Sequence, residues 1–172
     1  MTYHHFLKTL DARGMFRIRP SLAQVRKVLH VLGDPQDKVP TILIAGTNGK
    51  GSVAASLESV LRASGYRTGL YTSPHLTDIR ERIAIRGLAF HRGFAQIASQ
   101  VLAAEKRAQC SLTYFELLTA IAFQSFALKK VQIAIIECGL GGQWDATNVV
   151  KKPLLSIITS VGLDHTEWLG HT

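Results

Sequence analysis

The groups best suited to chemistry are one short stretch and three separate side chains. Residues 41–52 read Thr-Ile-Leu-Ile-Ala-Gly-Thr-Asn-Gly-Lys-Gly-Ser, an apolar run that breaks into a glycine-rich turn. Gly46, Thr47, Asn48, Gly49, Lys50, Gly51 and Ser52 have the composition of a phosphate cradle. Glycines let backbone N–H groups converge on an anion, a following helix adds its positive end, and a lysine supplies a full charge to the outer phosphates. The stretch departs from the usual phosphate loop at two places. No glycine stands at Ile44 or Ala45, and Gly51 follows the lysine where a hydroxyl is expected. The hydroxyl that would hold Mg²⁺ is therefore displaced to Ser52 or supplied from elsewhere, with Ser73 as the substitute. A phosphate site with Mg²⁺ needs hard oxygen ligands beside it. Ser73, Glu137 and His165 each follow an apolar run, which puts them where the ligands of open α/β sheets bind, at the carboxyl ends of the strands. Each has a bland alternative. For Glu137 the minor alternative is an ordinary strand-end acid, for His165 a loop histidine bonded to a carbonyl, and for Ser73 taken alone turn chemistry before Pro74 is the leading one.

These groups need elements to place them. The apolar runs 41–45, 67–72, 131–137 and 154–161 read as buried strands, the last two as continuous runs covered on both faces. Between the first two strands, Val53, Leu57, Val60 and Leu61 form a helical stripe that ends at Ser64-Gly65. Strand, helix and strand of these lengths make a βαβ unit with parallel strands. Ser21 with Gln24, and Thr113 with Glu116, have capping-box spacing and open helices; the second is strongly apolar and runs to about Leu128. Phe94, Ile97, Val101 and Leu102 mark another helix, and residues 75–93 read as a loop with one hairpin strand around Glu81-Arg82-Ile83-Ala84-Ile85. Residues 1–20 are weakly patterned and read as a frayed terminus. The expected class is α/β, a mostly parallel sheet flanked by helices.

Composition narrows the function. The chain has 172 residues, 47% hydrophobic and 19% charged, enough for one domain with a real core. No apolar run approaches membrane-helix length, and Met1-Thr-Tyr-His-His lacks the order of a signal peptide. Cys110 and Cys138 are far from any CxxC spacing, as in a reducing cytosol. The formal net charge is +8, but no basic run is longer than a pair such as Lys129-Lys130 or Lys151-Lys152, and interleaved aromatics are missing. The charge reads as a solvated surface that attracts anionic substrates, with no nucleic acid and no membrane as partner.

Seven motifs in order raise this from chemistry to a family. They are Gly46-Thr-Asn-Gly-Lys-Gly-Ser52, Tyr71-Thr-Ser-Pro-His-Leu76, Glu81-Arg-Ile83, Thr113-Tyr-Phe-Glu116, Glu137-Cys-Gly-Leu-Gly-Gly142, Asp145-Ala-Thr-Asn148, and Thr159-Ser with Leu163-Asp-His-Thr166 and Leu169-Gly170. Together they resemble the folylpolyglutamate synthase/dihydrofolate synthase family, relatives of the Mur peptide ligases, from about residue 20 onward. The resemblance implies a cytoplasmic ATP-dependent ligase that joins glutamate to dihydropteroate or a folate. A substrate carboxylate takes the γ-phosphate to give an acyl phosphate, and the amine of glutamate displaces phosphate. It implies ATP and Mg²⁺ as cofactors. Lys50 and the loop amides would bind phosphates, and Ser73, Glu137 and His165 would hold the metal, with Lys50, Glu137 and His165 as the catalytic set. Pro74, His75, Arg82, Asp145, Thr147 and Asn148 would line the substrate region.

Departures from the family pattern qualify this. Gln143-Trp144 stand where related chains carry Arg-Leu, which removes one cation, and Arg19-Pro20-Ser21-Leu22 replaces a Gly-Leu pair. The family continues past Thr172 with the rest of an ATPase domain and a second, glutamate-binding domain. Residues 1–172 therefore read as an incomplete ATP-binding domain, inactive alone. Full-length members are usually monomeric; truncated edges would favour self-association. A GTPase is disfavoured: Asn-Lys-x-Asp is missing, and the one Asp-x-x-Gly, Asp11 to Gly14, precedes the loop. A Mur ligase of cell-wall synthesis stays open as the nearer rival, with a non-catalytic nucleotide-binding or self-associating module as the third reading.

Overall fold

Residues 1–15 and 17–170 are described by a computed structural model; His171 and Thr172, the expected point of truncation, lie outside them. A six-stranded sheet forms the centre. Its strands are β1 (Thr41–Ala45), β2 (Thr68–Tyr71), β3 (Ile83–Ile85), β4 (Leu88–Ala89), β5 (Ile133–Glu137) and β6 (Leu155–Ile158), in the order β4-β3-β2-β5-β1-β6. β2, β5, β1 and β6 are parallel, and the β3–β4 hairpin adds antiparallel to β2. The predicted parallel βαβ relation of β1 and β2 holds, but β5 lies between them. The register pairs Ile44 with Glu137 and Tyr71 with Ile136, so the ends of β1, β5 and β2 lie level. This levelling brings the loops after three distant strands to one edge.

One face of the sheet is covered by α1 (Tyr3–Asp11), α2 (Ala23–Val31), α4 (Phe94–Arg107) and α5 (Tyr114–Leu128), whose buried side chains form one continuous core. α5 starts where its sequence says it should. Thr113 Oγ1 accepts from Glu116 N at 3.3 Å, and the Glu116 carboxylate accepts from Thr113 N at 2.7 Å. The Ser21 box does not form. Leu22 takes the N-cap position with no side-chain cap, its side chain drawn into the core, while Ser21 Oγ accepts only from Ala23 N and Gln24 Oε1 is left buried and unpartnered.

Three further expectations are corrected. Residues 3–11 are not frayed. Thr2 Oγ1 accepts from His5 N, and Phe6 and Leu10, one turn apart, are fully buried, with Phe6 edge-on to Phe94 at 5.3 Å. In α3 (Lys50–Ala63) the buried residues are Ala54 and Glu58, and Val60 is 62% exposed. At 100° per residue Ala54, Leu57, Glu58 and Leu61 share the sheet-facing side, and Val60 falls off it. Glu58 is tolerated there because Thr68 Oγ1 donates to it at 2.5 Å and Arg62 Nε at 3.2 Å. Finally, residues 154–161 are not a buried strand. β6 is an edge strand with Ile158 72% exposed, because β1 pairs with one side of it and no described element covers the other.

Candidate functional site

Residues 46–49 turn between the end of β1 and the start of α3, and they are stitched to the segment after β6. Thr47 N donates to Ser160 O at 2.8 Å, Thr47 Oγ1 to Gly162 O at 3.0 Å, and Ser160 Oγ to Asn48 O at 3.3 Å. Gly46, at φ +134°, lies so close that an added Cβ would fall 2.1 Å from Thr159 Oγ1. Only glycine meets both conditions. Gly49, at φ +81°, is the N-cap of α3 and turns the chain into the helix. Lys50 Nζ donates to Gly46 O at 2.8 Å and to Thr47 O at 3.0 Å. The ammonium therefore closes the loop on itself and keeps its charge beside the amides of a helix N-terminus. Thr159, Ser160 and Gly162 were not singled out as site residues; their only signal in the sequence is the Thr159-Ser motif.

Glu137 stands on the other side of Lys50. It is buried at the end of β5, with Oε2 accepting from Ser73 N at 2.9 Å. Both of its oxygens lie beside the first turn of α3: an added Cβ at Gly51 would lie 3.6 Å from Oε1 and 3.7 Å from Oε2. Gly51, which looked like the missing hydroxyl, is where the start of α3 passes the carboxylate, at ordinary van der Waals distance for an added Cβ. Burial pushes the Glu137 carboxyl above its ordinary value, against the opposing pull of Ser73 N–H and the charges of Lys50 and Arg82. A half-desolvated acid beside a cationic loop is poised to gain from a further cation.

The structure brings Ser73 and Glu137 together. It places His165 on the wall of a cleft of about 300 Å³ shared with Gly46, Thr47, Lys50 and Gly139–Gly141. His165 is exposed, at φ +46°, before the short α6 (Thr166–Leu169). Among the described residues, no group of three or more His, Cys, Asp or Glu side chains converges as a metal cage. A metal here would draw on mixed oxygen and nitrogen donors from separate strand ends.

The loop after β2 carries Pro74, His75 and Arg82, and its first peptide, Ser73-Pro74, is cis. Glu81 shapes the loop by accepting from the amides of Leu76, Thr77 and Asp78 at 2.9, 3.2 and 2.8 Å. The Thr77 hydroxyl, which donates to Oε1 at 2.6 Å, and these amides hold its carboxyl down to about 2. Arg82 is buried, donates from Nε to His75 Nδ1 at 3.0 Å, and lies over the Tyr114 ring. Burial, followed by the Arg82 charge, lowers the His75 imidazole, which stays neutral with its proton on Nε2. Tyr3 Oη donates to Asp78 Oδ1 at 2.8 Å, so the amino-terminal helix also holds this loop. Neither Asp78 nor Tyr3 carried a signal in the sequence.

Asp145 and Thr147 face inward. Asp145 Oδ2 accepts from Gly139 N and Leu140 N, and Oδ1 from Thr147 N and Thr147 Oγ1. Both are buried and shape the 139–142 turn rather than presenting groups to a ligand. Asn148 is exposed and donates to Gln143 O at 3.2 Å. Cys138, beside them, has its thiol pushed up to about 12 by burial, so it is inert. The parts gathered at this edge are a cationic glycine loop at a helix start, a buried carboxylate beside it, and a loop with a neutral imidazole. Such a set can bind a polyphosphate and bring a second anion to its end.

No protein-family model matches the chain. Curated relatives do. The folylpolyglutamate synthase of Lacticaseibacillus casei is 40% identical over 179 residues, covering 100% of this chain and 40% of its own length. The dihydrofolate synthase/folylpolyglutamate synthase of Bacillus subtilis is 39% identical over 169 residues, covering 95% of this chain and 39% of its own length. A probable bifunctional folylpolyglutamate synthase/dihydropteroate synthase of Haloferax volcanii is 39% identical and covers the whole chain but only 21% of its own length. The chain thus spans between a fifth and two fifths of these relatives. Among solved structures, an FPGS–AMPPCP–folate complex superposes with a TM-score of 0.94 at 37% identity, over 100% of this chain and 43% of that one. E. coli FolC with DHPP and ADP gives 0.91 at 36% identity, over 98% and 40%.

Proposed function

The chain belongs to the folylpolyglutamate synthase/dihydrofolate synthase family, and from that premise we propose that it is the ATP-binding part of a cytosolic ligase joining glutamate to dihydropteroate or a folate. One observation carries this reading: the Lys50 loop and the Glu137 carboxylate face each other across Gly51 at the carboxyl edge of the sheet. An anion-binding loop next to a carboxylate is of use when a phosphate must be held together with a cation. Mg²⁺ fits there, because the Glu137 carboxylate supplies hard oxygens beside Gly51 and the Lys50 charge, and its ionised form would be favoured by a divalent charge. Glu137, Ser73 and His165 are the residues that would hold it, and it would supply neutralisation of phosphate charge.

The chain's own groups do the rest. The amides of residues 46–51 and the Lys50 ammonium take the β- and γ-phosphates, Lys50 leaving the two carbonyls it now closes. The substrate carboxylate is then brought to the γ-phosphorus, and that approach of two anions is offset by the fixed charge of Lys50 and the helix N-terminus. His75 and Arg82 orient the folate-type substrate from the loop after β2. Asp145 and Thr147 act through the 139–142 turn. The rest of the ATPase domain and the glutamate-binding domain together correspond to the larger share of the relatives' length, and the complete protein acts as a monomer.

A second reading, self-association of this chain, is favoured by the exposed apolar side chains Ile158, Val161 and Leu163 along and beyond the β6 edge. Calorimetry with the Mg²⁺ complex of a non-hydrolysable ATP analogue separates the two. Wild-type chain should release heat at one site, and Lys50→Ala should lose it; equal heats for both chains would remove the loop from nucleotide binding. Sedimentation without nucleotide reports self-association independently.

A further inference from the structure

The phosphate loop leaves the carboxyl edge of the sheet. The opposite edge collects a different kind of surface. Arg62 ends α3, Arg67 precedes β2, Arg86 sits in the β3–β4 turn, Arg92 precedes α4, and Lys129 and Lys130 follow α5. Contacts join these positions into one area. A Cβ at Gly87 would lie 2.8 Å from Arg62 Nε, Arg86 N donates to Thr68 O, and Arg67 Nη1 donates to Lys129 O at 3.1 Å. Lys129 Nζ lies 5.5 Å over the Phe90 ring and near Gly93. All six basic side chains belong to exposed residues.

Nothing nearby neutralises them. Segments 58–68, 85–93 and 128–132 hold a single carboxylate, Glu58, which is buried and already shared by Arg62 and Thr68. Among the described residues none of the other five basic side chains forms an ion pair. The large apolar side chains exposed among them are Leu88, at 74%, with Leu128 and Tyr66. Leu88 stands directly opposite Ile85 in the hairpin, so its exposure follows from its place at the outermost strand.

We propose that this edge is a docking surface for an anionic phospholipid bilayer. Basic residues supply attraction to the charged headgroups, and stable attachment takes a second, apolar contribution. Leu88 and Leu128 provide it, and Tyr66 has the amphipathic ring that settles at headgroup level. The same aliphatic side chains gain nothing from a hydrated phosphodiester backbone, and one exposed tyrosine is no base-stacking platform. Docking here leaves the nucleotide loop, at the far edge, facing the solution. The proposal does not depend on the assignment of ligase chemistry.

Co-sedimentation with vesicles tests it. The wild-type chain should bind phosphatidylcholine vesicles containing phosphatidylserine, in a salt-sensitive way, and should not bind phosphatidylcholine alone. Arg67→Glu/Lys129→Glu/Lys130→Glu should weaken binding by about tenfold or more. The same net charge change at the far end of α4 and on α2, Lys27→Glu/Lys106→Glu/Arg107→Glu, should weaken it much less. Leu88→Ser/Leu128→Ser should lower vesicle binding while leaving the affinity for a single-stranded RNA oligonucleotide unchanged. No vesicle binding, equal loss in the two charge-reversal variants, or tighter binding to the RNA than to vesicles would each overturn the proposal. Circular dichroism confirms that each variant is folded.

Discussion

The two faces of the sheet are covered very differently. On one, α1, α2, α4 and α5 enclose side chains such as Phe6, Leu29, Phe94, Leu117, Phe123 and Phe126 in a single core. On the other, among the described elements α3 alone covers Ile42, Ile44 and Ile135, with Ala54 as its buried contact, and β6 leaves Leu155 and Ile158 in solvent. The stability of the chain is therefore concentrated on the first face, while the chemistry is placed where the thinly covered face meets the carboxyl edge. There the loop is held by polar stitching to residues 159–162 more than by packing.

Substitutions can break that contrast. The largest effect is expected in the thick core: Phe123→Ala should cost about 3–5 kcal/mol in denaturant unfolding, whereas Ile158→Ala at the β6 edge should change stability by about 0.5 kcal/mol or less. Similar losses at both positions would mean the two faces are equally committed. An intermediate effect is expected at the turn beside the site. Asp145→Ala strands three backbone amides and a hydroxyl and should cost about 1–3 kcal/mol. Hydrogen exchange should locate the opening at residues 139–147 and not in α5. The smallest effect is expected at Glu81. Its folded-state carboxyl is held down to about 2 from 4.5, so its contribution is present above the unfolded value and lost as pH falls through this range. Amide exchange at Leu76, Thr77 and Asp78 should accelerate between those pH values, and Glu81→Gln should abolish the pH step.

How much of this could be read from residue order varies with distance along the chain. Thr113 and Glu116 cap α5 as their spacing says, because a capping box is satisfied within one turn. Ser21 and Gln24 have the same spacing and form no box, because burial of Leu22 decides how that helix begins. The amino-terminal helix went unrecognised since Phe6 and Leu10 become meaningful only against Phe94, almost ninety residues later. The run 154–161 has the composition of a buried strand, yet burial needs a neighbour, and β6 has one on a single side.

The candidate site divides along the same line. Residue order alone determined the glycine loop, its lysine, the strand-end positions of Ser73 and Glu137, and the family to which they point, since each depends on types and spacing within a few residues. Only the tertiary structure decided that the start of α3 at Gly51 passes beside the Glu137 carboxylate, that Lys50 closes its own loop, that Asp145 and Thr147 turn inward, and that His165 lines one cleft with the loop. It also gathered six scattered basic side chains onto one edge. Those outcomes depend on which strands become neighbours and in what register, a choice made by burying apolar surface across the whole chain, which no local spacing encodes.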